Sequence, residues 1–245
     1  VYGPTLETWE KEPLTSSGID VWVKRTRALV VNDWYMVDDY HRDRGEGGDF
    51  YSGGPSRGCG GSAVWKDGRL YPSRNFRGSR VLANGPLRLV FELTYEPWDA
   101  GGVTVAETKR VTLDAGSHFN RFASTYTFAR AEEIAWAAGV KRARGAAASV
   151  QRERGTVRTW EALKEPNGHL GCALVVDPAA VTAAAEAEGN LLLVGRARPG
   201  QPVVYHAGSG WDGSGAVPGA AAWDALVDDL VERVRSPLLV EARPR

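Results

Sequence analysis

Three consecutive segments of the chain alternate apolar and polar side chains with a period of two. In "PLRLVFELTYEPW", Leu87, Leu89, Phe91, Leu93 and Tyr95 share one face, and Arg88, Glu92 and Thr94 take the other. In "VTVAETKRVTLDA", Val103, Val105, Val111 and Leu113 share a face with Glu107 and Lys109. In "NRFASTYTF", Phe122, Ser124, Tyr126 and Phe128 alternate with Arg121, Ala123, Thr125 and Thr127. This period puts successive side chains on opposite faces of an extended strand, and "EPWDAGG" and "LDAGSHFN" supply the turns. Such a run excludes a helical bundle and points to antiparallel sheets.

Further strand candidates are "IDVWVKR", "IAWAAGVKR", "TVRTWEAL", "LGCALVV", "LLLVGRA", "PVVYH" and the terminal "PLLVEA". Helical patterns do not alternate with them, so the expectation is a mainly β protein, a large antiparallel sandwich of two sheets. One helix is predicted over 219–235, where Trp223, Leu226, Val227, Leu230, Val231 and Val234 recur at helical spacing. A second, weaker helical pattern is "PAAVTAAAEAEG".

With 245 residues and no long linker or internal repeat, residues 1–245 read as a single domain. The chain opens on "VYGPTLETWE", without an initiator Met or signal sequence, and is read as lacking an N-terminal part. Lys+Arg and Asp+Glu are equal at 30 each, which gives no electrostatic reason to expect nucleic acid as a partner. No apolar run is long enough to span a bilayer. Cys59 and Cys172 either pair in an oxidising compartment or remain buried thiols. Nine tryptophans fit either a core or stacking on sugar rings.

The stretch "DDYHRDRGEGGDFYSGGPSRGCGG", residues 38–61, has eight charged residues and eight glycines. It has neither helix nor strand period, and its aromatic residues are costly to leave in water. The expectation is an ordered functional loop lining the main concave face, with Phe50 and Tyr51 at least partly buried. His41, with Asp39, Asp43, Glu46 and Asp49 nearby, reads as a general acid or base, or else as a histidine that locks the loop. No cofactor is expected. A divalent cation such as calcium, held by Asp39, His41, Asp43 and Glu46, is the lesser alternative.

His206, at the end of "PVVYH" and followed by "AGSGWDGSG", is a second site candidate. His118 and His169 read as ordinary turn residues. Arg88 points away from its strand's apolar face and suits a carboxylate, or else pairs with Glu92 or Glu107. Glu107 and Lys109 interrupt an apolar register, so they line a wet cleft or pair with each other.

"GIDVWVKR", "WYMVDDYHRDRGEGGDFYSGGPSRGCGG", "LYPSRNF", "VLANGPLRLVFELTY", "ETKRVTLDAGSHFNRF" and "YHAGSGWDGSG" together resemble the bacterial domain-of-unknown-function 4861 family. The resemblance implies a galactose-mutarotase-like, carbohydrate-active supersandwich, secreted or periplasmic, acting on pectin-like uronic-acid glycans. Asp39, Tyr40, His41, Asp43, Glu46, Asp49, Tyr51, Arg88, Lys109, His206 and Trp211 match its pattern.

Three activities fit. A polysaccharide lyase would neutralise the uronate with Arg88 or Lys109, take the proton with His41 or His206, and protonate the leaving oxygen with Tyr40 or Tyr51. A glycoside hydrolase would draw two carboxylates from Asp39, Asp43, Glu46, Asp49 and Glu107. A non-catalytic glycan-binding protein would stack sugar on its tryptophans. The lyase leads, with an acidic oligo- or polysaccharide as partner. His41, His206 and Arg88 are expected in one cleft, with Trp34 and Trp211 at its rim.

Overall fold

The computed structural model describes residues 16–37 and 39–238. The first elements are β1 (Val23–Lys24), helix α1 (Val31–Tyr35) and β2 (Gly47–Gly48). Then come β3 (Cys59–Lys66), β4 (Arg69–Tyr71), β5 (Gly78–Asn84), β6 (Arg88–Asp99), β7 (Thr104–Asp114) and β8 (Phe119–Phe128). They are followed by β9 (Ile134–Lys141), β10 (Ala147–Gln151), β11 (Thr156–Ala162), β12 (His169–Val176), β13 (Val181–Ala187), β14 (Asn190–Ala197) and β15 (Pro202–Trp211). Helix α2 (Ala220–Arg235) comes last among the described elements. The terminal strand candidate "PLLVEA" runs beyond the described residues.

Eight strands form one sheet in the order β10-β11-β12-β15-β8-β7-β6-β5, and five form a second in the order β13-β14-β9-β3-β4. Neighbouring strands are antiparallel throughout both sheets. The expected mainly β sandwich is the architecture found. Cross-strand partners point to the same face, so the register assigns each face. The row Val176, Tyr205, Phe122, Val111 and Phe91 faces inward. Phe122 stacks on Tyr205 at 4.9 Å, and Tyr205 on Trp136 of the smaller sheet at 5.9 Å, which joins the layers. The adjacent row, Arg110, Glu92 and Arg80, points outward as an ion ladder at 2.7 and 2.8 Å.

Helix α2 lies on the outer face of the large sheet. Its Trp223, Val227, Leu230 and Val231 bury against Phe119, Ala173 and Val175. Arg158 of β11 clasps Asp224 and Asp228 on the helix at 3.1 and 2.7 Å. The weaker helical pattern is not a helix. Asp177 caps a single turn of 3-10 helix at Pro178–Ala180, and the chain continues as edge strand β13. Alanine favours helix in isolation, but here the ladder offered by Leu191, Leu192 and Leu193 of β14 decides the conformation.

Candidate functional site at the loop end of the sandwich

The segment 39–58 folds over one end of the sandwich rather than across a concave face. It meets the last residues of β9 and β15. Lys141 donates to the Ser52 carbonyl (2.9 Å) and sits over the Tyr51 ring at 4.3 Å. Phe50 packs on Trp211 at 5.7 Å. Phe50 is partly buried and Tyr51 fully so, as expected. Asp38 lies outside the described residues.

The loop's own carboxylates organise it. Asp43 accepts the backbone N–H groups of Gly45 (2.8 Å) and Gly47 (3.1 Å) and pairs with Arg25 at 2.8 Å. Arg25 in turn lies over Trp211 at 4.6 Å and donates to the Gly213 carbonyl at 3.0 Å. Glu46 accepts the Trp34 indole N–H at 3.3 Å. These contacts tie the loop to the turn after β15, so its order has an identifiable cause despite its glycines.

An aromatic cluster stands beside this framework. Trp22 stacks with Tyr35 and with Tyr40, both at 5.0 Å, and Tyr40 packs on His41 at 4.5 Å. Tyr35 is 55% exposed. His41 Nδ1 lies 2.9 Å from the Asp49 carbonyl, and the Asp49 carboxylate is 3.7 Å away. A carbonyl oxygen can only accept, so Nδ1 carries the hydrogen and the lone pair of the neutral ring falls on Nε2. The imidazole is exposed and held in one tautomer.

A second oriented imidazole was missed by sequence reading, which left His169 as an ordinary turn residue. The Asp212 carboxylate grips that residue twice, accepting its backbone N–H at 2.9 Å and facing Nδ1 at 3.0 Å. Trp160 stacks parallel to the ring, 6.1 Å away. Gly168 makes room for the carboxylate, because a Cβ there would stand 2.2 Å from Asp212 Oδ1. Again Nε2 is the open nitrogen. Asp212 follows Trp211 directly, so this dyad belongs to the same end as the loop. The two partners lie 43 positions apart, and no local motif connects them.

Several expected site residues lie elsewhere. His206 shares a cross-strand row with Val175 and Arg121, which puts it on the outer face of the large sheet. Burial, with a smaller contribution from Arg121, holds its pKa down to about 4. Arg88 lies on that outer face as well, bound through two nitrogens to Asp114 at 2.5 and 2.8 Å. The expected convergence of His41, His206 and Arg88 does not occur.

Lys109 and Glu107 do not line a cleft. They face inward between the sheets, 3.4 Å apart, and Lys109 donates to Ser62 Oγ at 2.9 Å. Lys109 is 0% exposed, so no ligand reaches it. Trp34, Trp211 and Tyr51 are buried and form no rim, although Trp211 supports the site from beneath. Asp39 and Tyr40 remain at the loop surface. Among the described residues, no three His, Cys, Asp or Glu side chains are grouped to hold a metal ion.

Fold and site together define an antiparallel two-sheet sandwich with oriented imidazoles and clustered aromatic rings at one end. The chain belongs to the family described as "Domain of unknown function (DUF4861)", whose model matches residues 1–240. It is 31% identical over 253 residues to "Uncharacterized protein P7" of Formosa agariphila, covering 98% of this chain and 63% of the relative. The chain therefore spans less than two thirds of that relative's length. A solved structure described as "Putative kojibiose phosphorylase from human microbiome" has a TM-score of 0.43 and 8% identity, covering 70% of this chain and 27% of that one. That likeness is too distant to bear on activity.

Proposed function

We propose that the loop end binds and cleaves uronic-acid-containing, pectin-like glycans by β-elimination, in a secreted or periplasmic setting. The observation that carries this reading is the pair of exposed imidazoles, His41 and His169, each fixed through Nδ1 with Nε2 open. β-Elimination needs a base for the C5 proton, an acid for the leaving oxygen, and a cation beside the carboxylate. One imidazole accepts the C5 proton as the C4–O bond breaks, and the other delivers a proton to the departing oxygen. Arg42 and Arg44 are exposed and form no ion pair among the described residues, so they are the cations open to a uronate. Trp22, Tyr35 and Tyr40 give the sugar ring an apolar neighbour.

A two-carboxylate hydrolase has less support. Asp43, Glu46 and Asp49 are engaged within the loop, and Glu107 is in the core. Of the five candidates, Asp39 is exposed and has no side-chain hydrogen bond or ion pair among the described residues.

The test is ultraviolet absorbance during incubation with a polyuronate and with its carboxyl-reduced form. An unsaturated product absorbing near the ultraviolet edge is expected from the acidic glycan only, and His41→Gln is expected to slow its formation by at least ~100-fold. Reducing ends released without that absorbance would mean hydrolysis, and equal action on both glycans would remove the uronate from the reading.

A further inference from the structure

The two cysteines lie on different sheets, Cys59 on β3 and Cys172 on β12. They nevertheless share one core cluster, with exposures of 2% and 1%. The sheets pinch together at this point. Gly60 approaches β15 so closely that a Cβ on it would be 2.2 Å from the Ala207 Cβ, and β3 is bulged between Cys59 and Gly61. The Cys59 thiol donates to the Gly208 carbonyl at 3.1 Å, and Cys172 pairs in register with Ser209, the next residue along β15. Both side chains belong to the core between the sheets. Both are reduced in this structure. Two thiols brought together across a sandwich from positions so distant in sequence form a preassembled cross-linking site.

We propose that Cys59 and Cys172 close into a disulfide joining the two sheets when the chain folds in an oxidising compartment. The oxidant is a disulfide, either of a thiol oxidoreductase or of a small molecule such as glutathione. One cysteine thiolate attacks the oxidant's S–S bond, giving a mixed disulfide and releasing one thiol. The second thiolate then displaces the other half, so two thiols are oxidised and one disulfide is reduced to two thiols. Both sulfurs are buried in the finished sandwich, so exchange occurs before β3 and β12 have closed on each other.

The link would have a positional effect that rests on the function proposed above. Cys59 ends the loop carrying His41, and Cys172 lies three residues beyond His169, so the bond would tether both imidazole-bearing segments. The bond itself is tested independently of any glycan. The full chain is unfolded with reductant, refolded in mixed reduced and oxidised glutathione, and then denatured in an alkylating agent. The monomer is expected to take up no alkyl groups, to be about 2 Da lighter than the reduced form, and to yield a joined peptide containing Cys59 and Cys172. Its Tm is expected to exceed that of the reduced form by on the order of 10 °C. Cys172→Ala is expected to abolish both differences. Protein expressed directly into an oxidising periplasm provides the same measurement without refolding. Two fully alkylated cysteines in natively folded protein from either route, or disulfides formed only between molecules, would overturn the proposal.

Discussion

At His206, desolvation between β8 and β12, reinforced by the Arg121 guanidinium, holds the imidazole pKa down to about 4, against an ordinary value of 6.5. The unfolded chain therefore binds more protons than the folded one between those values, and stability falls as pH drops from about 6.5 towards 4. The loss attributable to this one group is roughly 3 kcal/mol, complete near its folded pKa. In denaturant melts across that range the parent is expected to lose stability relative to His206→Gln as pH falls, since the variant lacks this titrating group. Parallel curves would mean that His206 is not the neutral buried group described.

At Lys109, desolvation disfavours the ammonium, yet the Glu107 carboxylate together with Tyr205, Tyr95 and Tyr126 outweighs it and raises the pKa. Lys109→Met strands that carboxylate in the core and is expected to cost about 3–5 kcal/mol. The double variant Lys109→Met with Glu107→Leu is expected to recover most of this in the same denaturant melts. The period-two pattern made the shared face of Glu107 and Lys109 legible in the sequence. Whether that face met water or the opposite sheet was set by how the sheets stack, which also brings Ser62 of β3 within hydrogen-bonding distance of Lys109.

Among the elements, the strands of the large sheet and helix α2 were legible because each repeats one period long enough to outvote local exceptions. The Ala-rich β13 was not, since its conformation is set by its neighbour β14 rather than by its own residues. Loop 39–58 was legible as ordered from its aromatics, but its position at the end of the sandwich depended on Trp211, Arg25 and Lys141. The His169–Asp212 dyad needed the β12–β15 pairing, which sets Leu170 beside Trp211. Trp223 is 1% exposed and fills the space between helix and sheet. Trp223→Ala is expected to destabilise by ~3–5 kcal/mol in denaturant melts. The loss is expected to extend to the His169–Asp212 pair, because the Trp223 ring packs against Gly171 and Gly210 and shares its cluster with Trp160, on which His169 stacks. A cost below ~1 kcal/mol would mean the helix is not anchored as described.

Across the whole molecule, neutral net charge and uneven charge placement coexist. The outer face of the large sheet pairs its charges through Arg80, Glu92, Arg110, Arg88 and Asp114, whereas Arg42 and Arg44 at the loop end are exposed and form no ion pair among the described residues. The proposed glycan site is therefore the end of the sandwich, against residues 39–50, 167–169 and 211–213, and not the Arg80–Glu92–Arg110 ladder of the large sheet. Hydrogen exchange followed by mass spectrometry, with and without a uronic-acid oligosaccharide, tests this most directly. The expected result is slowed exchange confined to those three segments and undiminished by Arg88→Ala. Protection over 106–112 and 121–127 instead, or none anywhere at saturating oligosaccharide, would contradict it.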